Sequence, residues 1–200
     1  MTMFAGAQRL PGNKAELYIA KNFLAAEDCA GLMELIDAGR RPSTITDAYG
    51  ADAGFRTSET CDLPSENALV DRVRRAIANT AGLPLTHAES LQGQRYAVGQ
   101  EFKFHTDYFE PGGLDYWEHC TQSGQRTWTV MIYLNTPGAG GATRFRHLDK
   151  IIQPETGKLV AWNNRTESGG VNAHTLHAGM PVRAGTKYII TAWFREQPWV

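Results

Sequence analysis

Near Glu89 the hydrophobic pattern of this 200-residue chain changes period, and few architectures accommodate such a change. Before that point, Cys29, Leu32, Met33 and Ile36 recur at three- and four-residue spacing and predict a helix ending near Gly39. Val70, Val73 and Ile77 predict a second helix between Pro64-Ser65 and Gly82. Only Leu17-Tyr18-Ile19-Ala20 reads as a strand in this half. After Glu89 the pattern is of short strands and turns. Trp128-Thr129-Val130-Met131-Ile132-Tyr133-Leu134 is rich in β-branched and aromatic residues and stops at the turn cluster Asn135-Thr136-Pro137-Gly138. Lys158 to Trp162 and Lys187 to Phe194 fit further strands, the last one preceded by Pro181-Val182-Arg183-Ala184-Gly185. Helices first and strands afterwards predict a mainly β protein, a β-barrel or jelly roll with helices packed outside it. Twenty glycines and nine prolines supply the turns such a fold needs.

Length and the absence of repeats or linker-like stretches argue for one domain. Twenty basic residues against twenty-one acidic ones leave a formal net charge of −1, which gives no field for nucleic acid. No apolar run reaches membrane-spanning length. Met1 to Gly6 lack the charged and apolar regions of a signal peptide. Cys29, Cys61 and Cys120 form no CxxC pair and are odd in number, which points to a reducing compartment, the cytoplasm. Cys29 sits in the helical pattern as a small core residue.

The chemistry concentrates in Phe102-Lys103-Phe104-His105-Thr106-Asp107. In a strand, residues two apart share a face, so His105 and Asp107 can converge on one ion. An imidazole and a carboxylate need one more ligand to make the facial triad of non-haem iron(II) oxygenases. Two candidates stand nearby, His177 and His174, and parity does not choose between them because the neighbouring glycine and proline can break the strand. His87, His119 and His147 lie in polar or loop-like surroundings and read as solvated surface histidines.

Gln94-Arg95-Tyr96, His105-Thr106-Asp107, Gly140-Gly141-Ala142-Thr143-Arg144-Phe145, His177-Ala178-Gly179 and Gly185-Thr186-Lys187 occur in that order. The series resembles the prolyl 4-hydroxylase family of Fe(II)/2-oxoglutarate-dependent dioxygenases, particularly its small bacterial and algal members. The likeness runs from around Tyr18 to Trp193-Phe194-Arg195 and includes Arg56-Thr57-Ser58. It implies a double-stranded β-helix (jelly roll) filling about residues 86–200, supported by a strand-and-helix segment at about 15–85, within a single catalytic domain over 1–200. It implies that His105, Asp107 and His177 are the iron ligands, which selects His177 over His174. It further implies that Lys187 pairs with the distal carboxylate of 2-oxoglutarate, that Tyr96 and Thr143 bond the same carboxylate, and that Trp193 packs beside it. Parity along the last strand agrees, since Lys187, Ile189, Thr191 and Trp193 share one face. A lysine in a largely apolar strand is costly unless paired, and a dicarboxylate would supply the partner.

The implied reaction uses Fe(II), O₂ and 2-oxoglutarate, with ascorbate as reductant, and hydroxylates a C–H bond of a prolyl residue in a peptide or protein. The carboxylate of Asp107 favours hydroxylation, because halogenating relatives lack it. Arg126 matches an arginine near the substrate groove and Arg56 lies in a segment like a loop that closes over a peptide. Thr46 to Gly54 is loop-like and is expected to act as a lid. Phe102 stands where the family often has tyrosine and Arg195 where peptide hydroxylases often have histidine, and Asp107 to Arg126 is slightly long. These departures bear on the substrate, and a free amino acid or other small molecule is the alternative. A non-catalytic metal-binding jelly roll would have no use for Lys187, and nucleic-acid demethylases usually hold 2-oxoglutarate with arginine.

Overall fold

The run from Trp128 to Leu134 is apolar apart from Thr129 because its strand is covered on both faces. The computed structural model describes residues 3–44 and 54–199. Its first half holds strands β1 (Gln8–Arg9) and β2 (Leu17–Ala20), helix α1 (Ala26–Gly39), strands β3 (Arg41–Pro42) and β4 (Glu59–Asp62), and helix α2 (Ala68–Ala81). Strands β5 (Gln92–Tyr96) and β6 (Phe102–His105) follow, then helix α3 (Leu114–Cys120) and strand β7 (Arg126–Tyr133). The remainder is β8 (Ala139–Gly140), β9 (Thr143–Phe145), β10 (Lys150–Ile152), β11 (Leu159–Asn163), β12 (His177–Gly179), β13 (Val182–Ala184) and β14 (Lys187–Arg195).

An antiparallel eight-stranded sheet runs in the order β1-β2-β11-β7-β14-β5-β4-β3, and a smaller sheet in the order β10-β9-β12-β6. Alternate residues of the large sheet divide between two cores. Val130, Ile132, Leu159, Ala161, Ile190, Ala192 and Phe194 face α1 and α2, where they meet Leu32, Ile36, Val73 and Ile77. Met131, Tyr133, Val160, Trp162 and Ile189 face inward, toward Phe145 of the small sheet. This is the jelly roll, with helices outside it on one face. The period-two alternation survives in a largely apolar strand because the two faces bury against different partners.

The helix ends follow from capping. The Asn67 side chain accepts from the amides of Leu69 and Val70, and Gly82 closes α2 in the left-handed conformation at φ 68°. Gly93 on β5 is required by packing, since a Cβ there would stand 2.3 Å from Cγ1 of Ile36 on α1. Cys29 is buried in that same core, as its pattern predicts. The described cysteines are free and buried. No helix among the described residues is long and apolar enough to cross a membrane.

Three expectations need correction or restriction. The extra length between Asp107 and Arg126 holds α3, which the periodicity did not announce, as it spans only seven residues. His87 and His119 are half-buried rather than solvated: His87 Nδ1 lies 3.1 Å from the Arg195 carbonyl, and the His119 ring packs 4.7 Å from that of Phe109. His147 is exposed, as read from the sequence. Thr46 to Ala53 of the expected lid lie outside the described residues.

Candidate metal and cosubstrate site

His105 ends β6 and His177 begins β12, and the two are paired across the ladder of the small sheet. That register brings their ring centroids to 4.3 Å. Asp107 reaches them differently from the expected strand parity, because β6 stops at His105 and Asp107 stands at a bend just beyond its end. A hydrogen bond of 2.7 Å from the Thr129 hydroxyl to Asp107 Oδ2 anchors the carboxylate instead. Asn164 donates to that same hydroxyl at 2.9 Å, so its oxygen is occupied and its proton is directed at Asp107. His105 Nε2 is 3.8 Å from Asp107 Oδ1, and His177 Nε2 is 3.9 Å from Asp107 Oδ2. The three potential ligand atoms lie within 4.8 Å of one another, and all three side chains are buried. His174 is exposed, in a turn outside this cluster.

Local contacts set both imidazoles for ligation. His105 Nδ1 lies 2.7 Å from the Lys103 carbonyl and His177 Nδ1 2.9 Å from the Thr175 carbonyl. A carbonyl only accepts, so Nδ1 carries the proton and the lone pair sits on Nε2, turned to Asp107. Burial, then the neighbouring His177, pushes the pKa of His105 down to about 3, so it is neutral and can ligate. Burial raises the pKa of Asp107, but His177, His105, Arg126 and the Thr129 hydrogen bond outweigh it and hold the carboxyl below its ordinary value. Phe102 stacks on His105 with ring centroids 3.5 Å apart. Two imidazoles and a carboxylate on one side of a cavity are the donor set of a non-haem Fe(II) centre.

Beside the triad is a pocket lined by Tyr96, Thr143, Lys187, Thr191 and Trp193, with Arg56 at its edge. Lys187 is 1% exposed. Its Nζ faces the rings of Tyr96 at 4.8 Å and Tyr133 at 5.5 Å, and no described carboxylate forms an ion pair with it. Burial alone pushes its pKa down to about 7. Thr143 Oγ1 accepts from the Tyr133 hydroxyl at 2.6 Å, and its own proton points to Met131 Sδ at 3.9 Å, a weak acceptor that a carboxylate would displace. The indole N–H groups of Trp162 and Trp193 are buried without a hydrogen-bond partner among the described residues. An ammonium, a hydroxyl proton and two idle indole donors around one cavity call for an acidic guest. A dicarboxylate such as 2-oxoglutarate fits this donor set.

Residues 91–195 match the model of the 2OG-Fe(II) oxygenase superfamily. The chain belongs to that family. A mimivirus (Acanthamoeba polyphaga) protein provisionally named a prolyl 4-hydroxylase is 31% identical over 188 residues, 94% of this chain and 76% of that protein. The viral collagen prolyl hydroxylase of Paramecium Bursaria Chlorella virus-1, solved with 2OG, superposes with TM-score 0.68 at 27% identity, over 90% of this chain and 95% of that one. A Trichoplax adhaerens prolyl hydroxylase, solved with a hypoxia inducible factor peptide, shares the fold: TM-score 0.68, 16% identity, 92% of this chain and 84% of that one. The oxygenase is therefore an enzyme of Fe(II) and 2-oxoglutarate.

In front of the triad the oxygenase opens a cleft of about 690 Å³. Arg56, Phe102, Tyr108, Phe109, Arg126 and Trp193 line it, with Glu118 and His119 of α3 on one wall. Arg56 donates to Ser58, Thr60 and Gln92 and lies over the Phe102 ring at 4.9 Å. Arg126 is gripped by Glu89 through two hydrogen bonds of 2.7 and 2.8 Å and covers Trp193 at 4.0 Å. Arg195 does not reach into the cleft. It is buried, with Nε 2.7 Å from Glu89 Oε1 and Nη1 donating to the Gly124 carbonyl. Thr129, Asn164, Glu89 and Trp162 went unread in the sequence. Thr129 had a signal, a lone hydroxyl inside an apolar run. Thr129→Val should leave the fold intact and weaken iron binding by about 10- to 100-fold, the usual cost of losing a ligand's outer partner. Titrating the apoprotein with Fe(II) under argon measures it, and an unchanged affinity would remove Thr129 from the site.

Proposed function

We propose that this oxygenase hydroxylates prolyl residues in a peptide or protein. In this reading His105, Asp107 and His177 hold the iron. Lys187, Tyr96 and Thr143 bind the distal carboxylate of 2-oxoglutarate, with Trp193 beside it. The observation that carries the reading is Lys187, a fully buried ammonium lacking a carboxylate partner among the described residues, next to three convergent ligand groups. Iron, 2-oxoglutarate and O₂ together supply an oxidant strong enough for an unactivated C–H bond, with succinate and CO₂ as the other products. The protein's own task is to orient and shield. Phe102 fixes the His105 ring, Thr129 fixes Asp107, and the aromatic walls around Trp193 keep bulk water from the reacting carbon. Ascorbate serves as external reductant. The chain works as one catalytic domain, 1–200, in which the segment 15–85 supports the jelly roll, and its free cysteines suit the cytoplasm.

The cleft favours a peptide over a free amino acid. It is larger than one amino acid fills, and it is continuous with the triad at His105 and Asp107. Arg56 and Arg126 are the proposed contacts to an extended chain, and Glu89 fixes the direction in which Arg126 points. Proline suits the site, because a polyproline II segment is already extended and little conformational freedom is lost on binding. Proline-containing peptides should stimulate succinate release and gain one oxygen by mass spectrometry, while free amino acids remain inert. If a free amino acid is hydroxylated and every proline peptide is not, the substrate is a small molecule.

A further inference from the structure

On β5, Gln92, Gln94 and Tyr96 are two apart and face inward together, opposite Thr191, Ile189 and Lys187 of β14. Two glutamines in a row on the inner face of a sheet core are unusual, and Gln94 is 4% exposed. Their hydrogen bonds form a directed chain. Arg56 has only donors, so Gln92 must turn its Oε1 to Arg56 Nη2, at 3.1 Å. The same oxygen accepts from Gln94 Nε2 at 3.3 Å, which orients the Gln94 amide. Gln94 Oε1 then faces β5's last residue and accepts the Tyr96 hydroxyl at 2.8 Å.

The chain has a consequence for Tyr96. A phenol has one proton, and in this arrangement Gln94 holds it. Burial raises the pKa of Tyr96 and keeps it protonated, against the opposing effects of Arg56 and of a hydrogen bond with the Ser58 side chain, a second partner of the phenol oxygen and one that Arg56 also bonds. A carboxylate that enters the pocket offers only acceptors, so Tyr96 can bond it only by withdrawing its proton from Gln94. Gln94 Oε1 would then be a buried acceptor without its donor, which is relieved if the amide turns over and the Thr191 hydroxyl, which now accepts from Gln94 Nε2 at 3.4 Å, donates to Oε1 instead. Reorientation at Gln94 removes the second donor from Gln92 Oε1, the oxygen that Arg56 also holds, and so alters the hold on the guanidinium at the mouth of the substrate cleft.

We infer that Gln94 and Gln92 are positioning residues that tie the hydroxyl of Tyr96 in the cosubstrate pocket to Arg56, which lines both that pocket and the substrate cleft, so that each site senses the other. The inference rests on the reading of that pocket as the 2-oxoglutarate site. Linkage is reciprocal, so a change at Arg56 must alter cosubstrate affinity through the glutamines.

A double-mutant cycle on binding, without turnover, tests this. Calorimetry with Mn(II) in place of Fe(II) gives the 2-oxoglutarate affinity of the parent protein, Arg56→Ala, Gln94→Leu and the double variant. Arg56→Ala should change the affinity at least threefold in the parent and by less than about 1.5-fold when Gln94 is leucine. Gln92→Leu, at a half-buried position, should break the dependence in the same way and stands in if Gln94→Leu does not fold. Equal factors in both backgrounds, or no effect of Arg56→Ala in the parent, overturn the relay. A direct contact from Arg56 to the ligand would give the equal factors, because it does not pass through Gln94. A parent protein that binds no 2-oxoglutarate overturns the pocket reading and the relay together, so the two failures are distinct.

Discussion

His105→Ala, Asp107→Ala and His177→Ala should each abolish iron-dependent succinate formation, whereas His174→Ala should retain most of it. The first three side chains converge within 4.8 Å in a buried cluster, and a facial set of three tolerates no loss. Each Nδ1–H is held by a backbone carbonyl, so neither imidazole can be replaced by a neighbour swinging in. His174 is exposed, in the short turn that precedes β12, outside the cluster. Coupled 2-oxoglutarate consumption and iron content, measured on the same preparations, separate loss of metal from loss of fold. Activity surviving in His177→Ala and lost in His174→Ala would reverse the assignment.

The second large effect is expected at Lys187. Removing one partner of a buried ion pair costs about 3–5 kcal/mol. Lys187→Ala should therefore raise the 2-oxoglutarate requirement by roughly a hundred- to a few-thousand-fold while bound iron stays at the parent level. The pH dependence has a definite sign. Burial lowers the pKa of Lys187 in the empty pocket to about 7, so above that pH the amine is increasingly neutral. A bound carboxylate favours the ammonium, so binding takes up a proton. Cosubstrate affinity should be nearly flat below about pH 7 and fall above it, by up to about tenfold per unit. Titrations at three pH values between 6.5 and 8.5 check this, and a flat profile with an unchanged requirement in Lys187→Ala would defeat the assignment.

Arg195 shows how a residue's meaning depends on its neighbours. In the sequence it is a departure at a position bordering the substrate. In the fold its guanidinium is buried on Glu89 and the Gly124 carbonyl, so its effect on substrate is indirect, through the carboxylate that also grips Arg126. Glu89 links both arginines to the cleft, and it was not visible as a partner because it lies 37 positions from Arg126 and 106 from Arg195 in the chain.

What the sequence determined by itself is local. Apolar spacing placed α1 and α2, β-branched runs placed β7, β11 and β14, and parity along β14 put Lys187, Ile189, Thr191 and Trp193 on one face. These follow from periods of 3.6 and 2, which any stretch of chain expresses without its partners. The choice of His177 over His174 needed the family resemblance, because glycine and proline nearby spoil parity. Tertiary structure decided what the periods cannot carry. Asp107 joins the triad from beyond the end of β6, and it is the hydroxyl of Thr129, 22 residues on, that aims it. The short α3 forms against the cleft with too few residues for a period to register. The direction of the Tyr96 proton follows from two glutamine amides whose orientation is set at the far end, by Arg56, 40 positions before Tyr96, donating to Gln92 Oε1 and by Asp62 accepting from Gln92 Nε2. Polar groups of this kind read as isolated in sequence, and their roles come from hydrogen bonds between strands that the fold alone brings together.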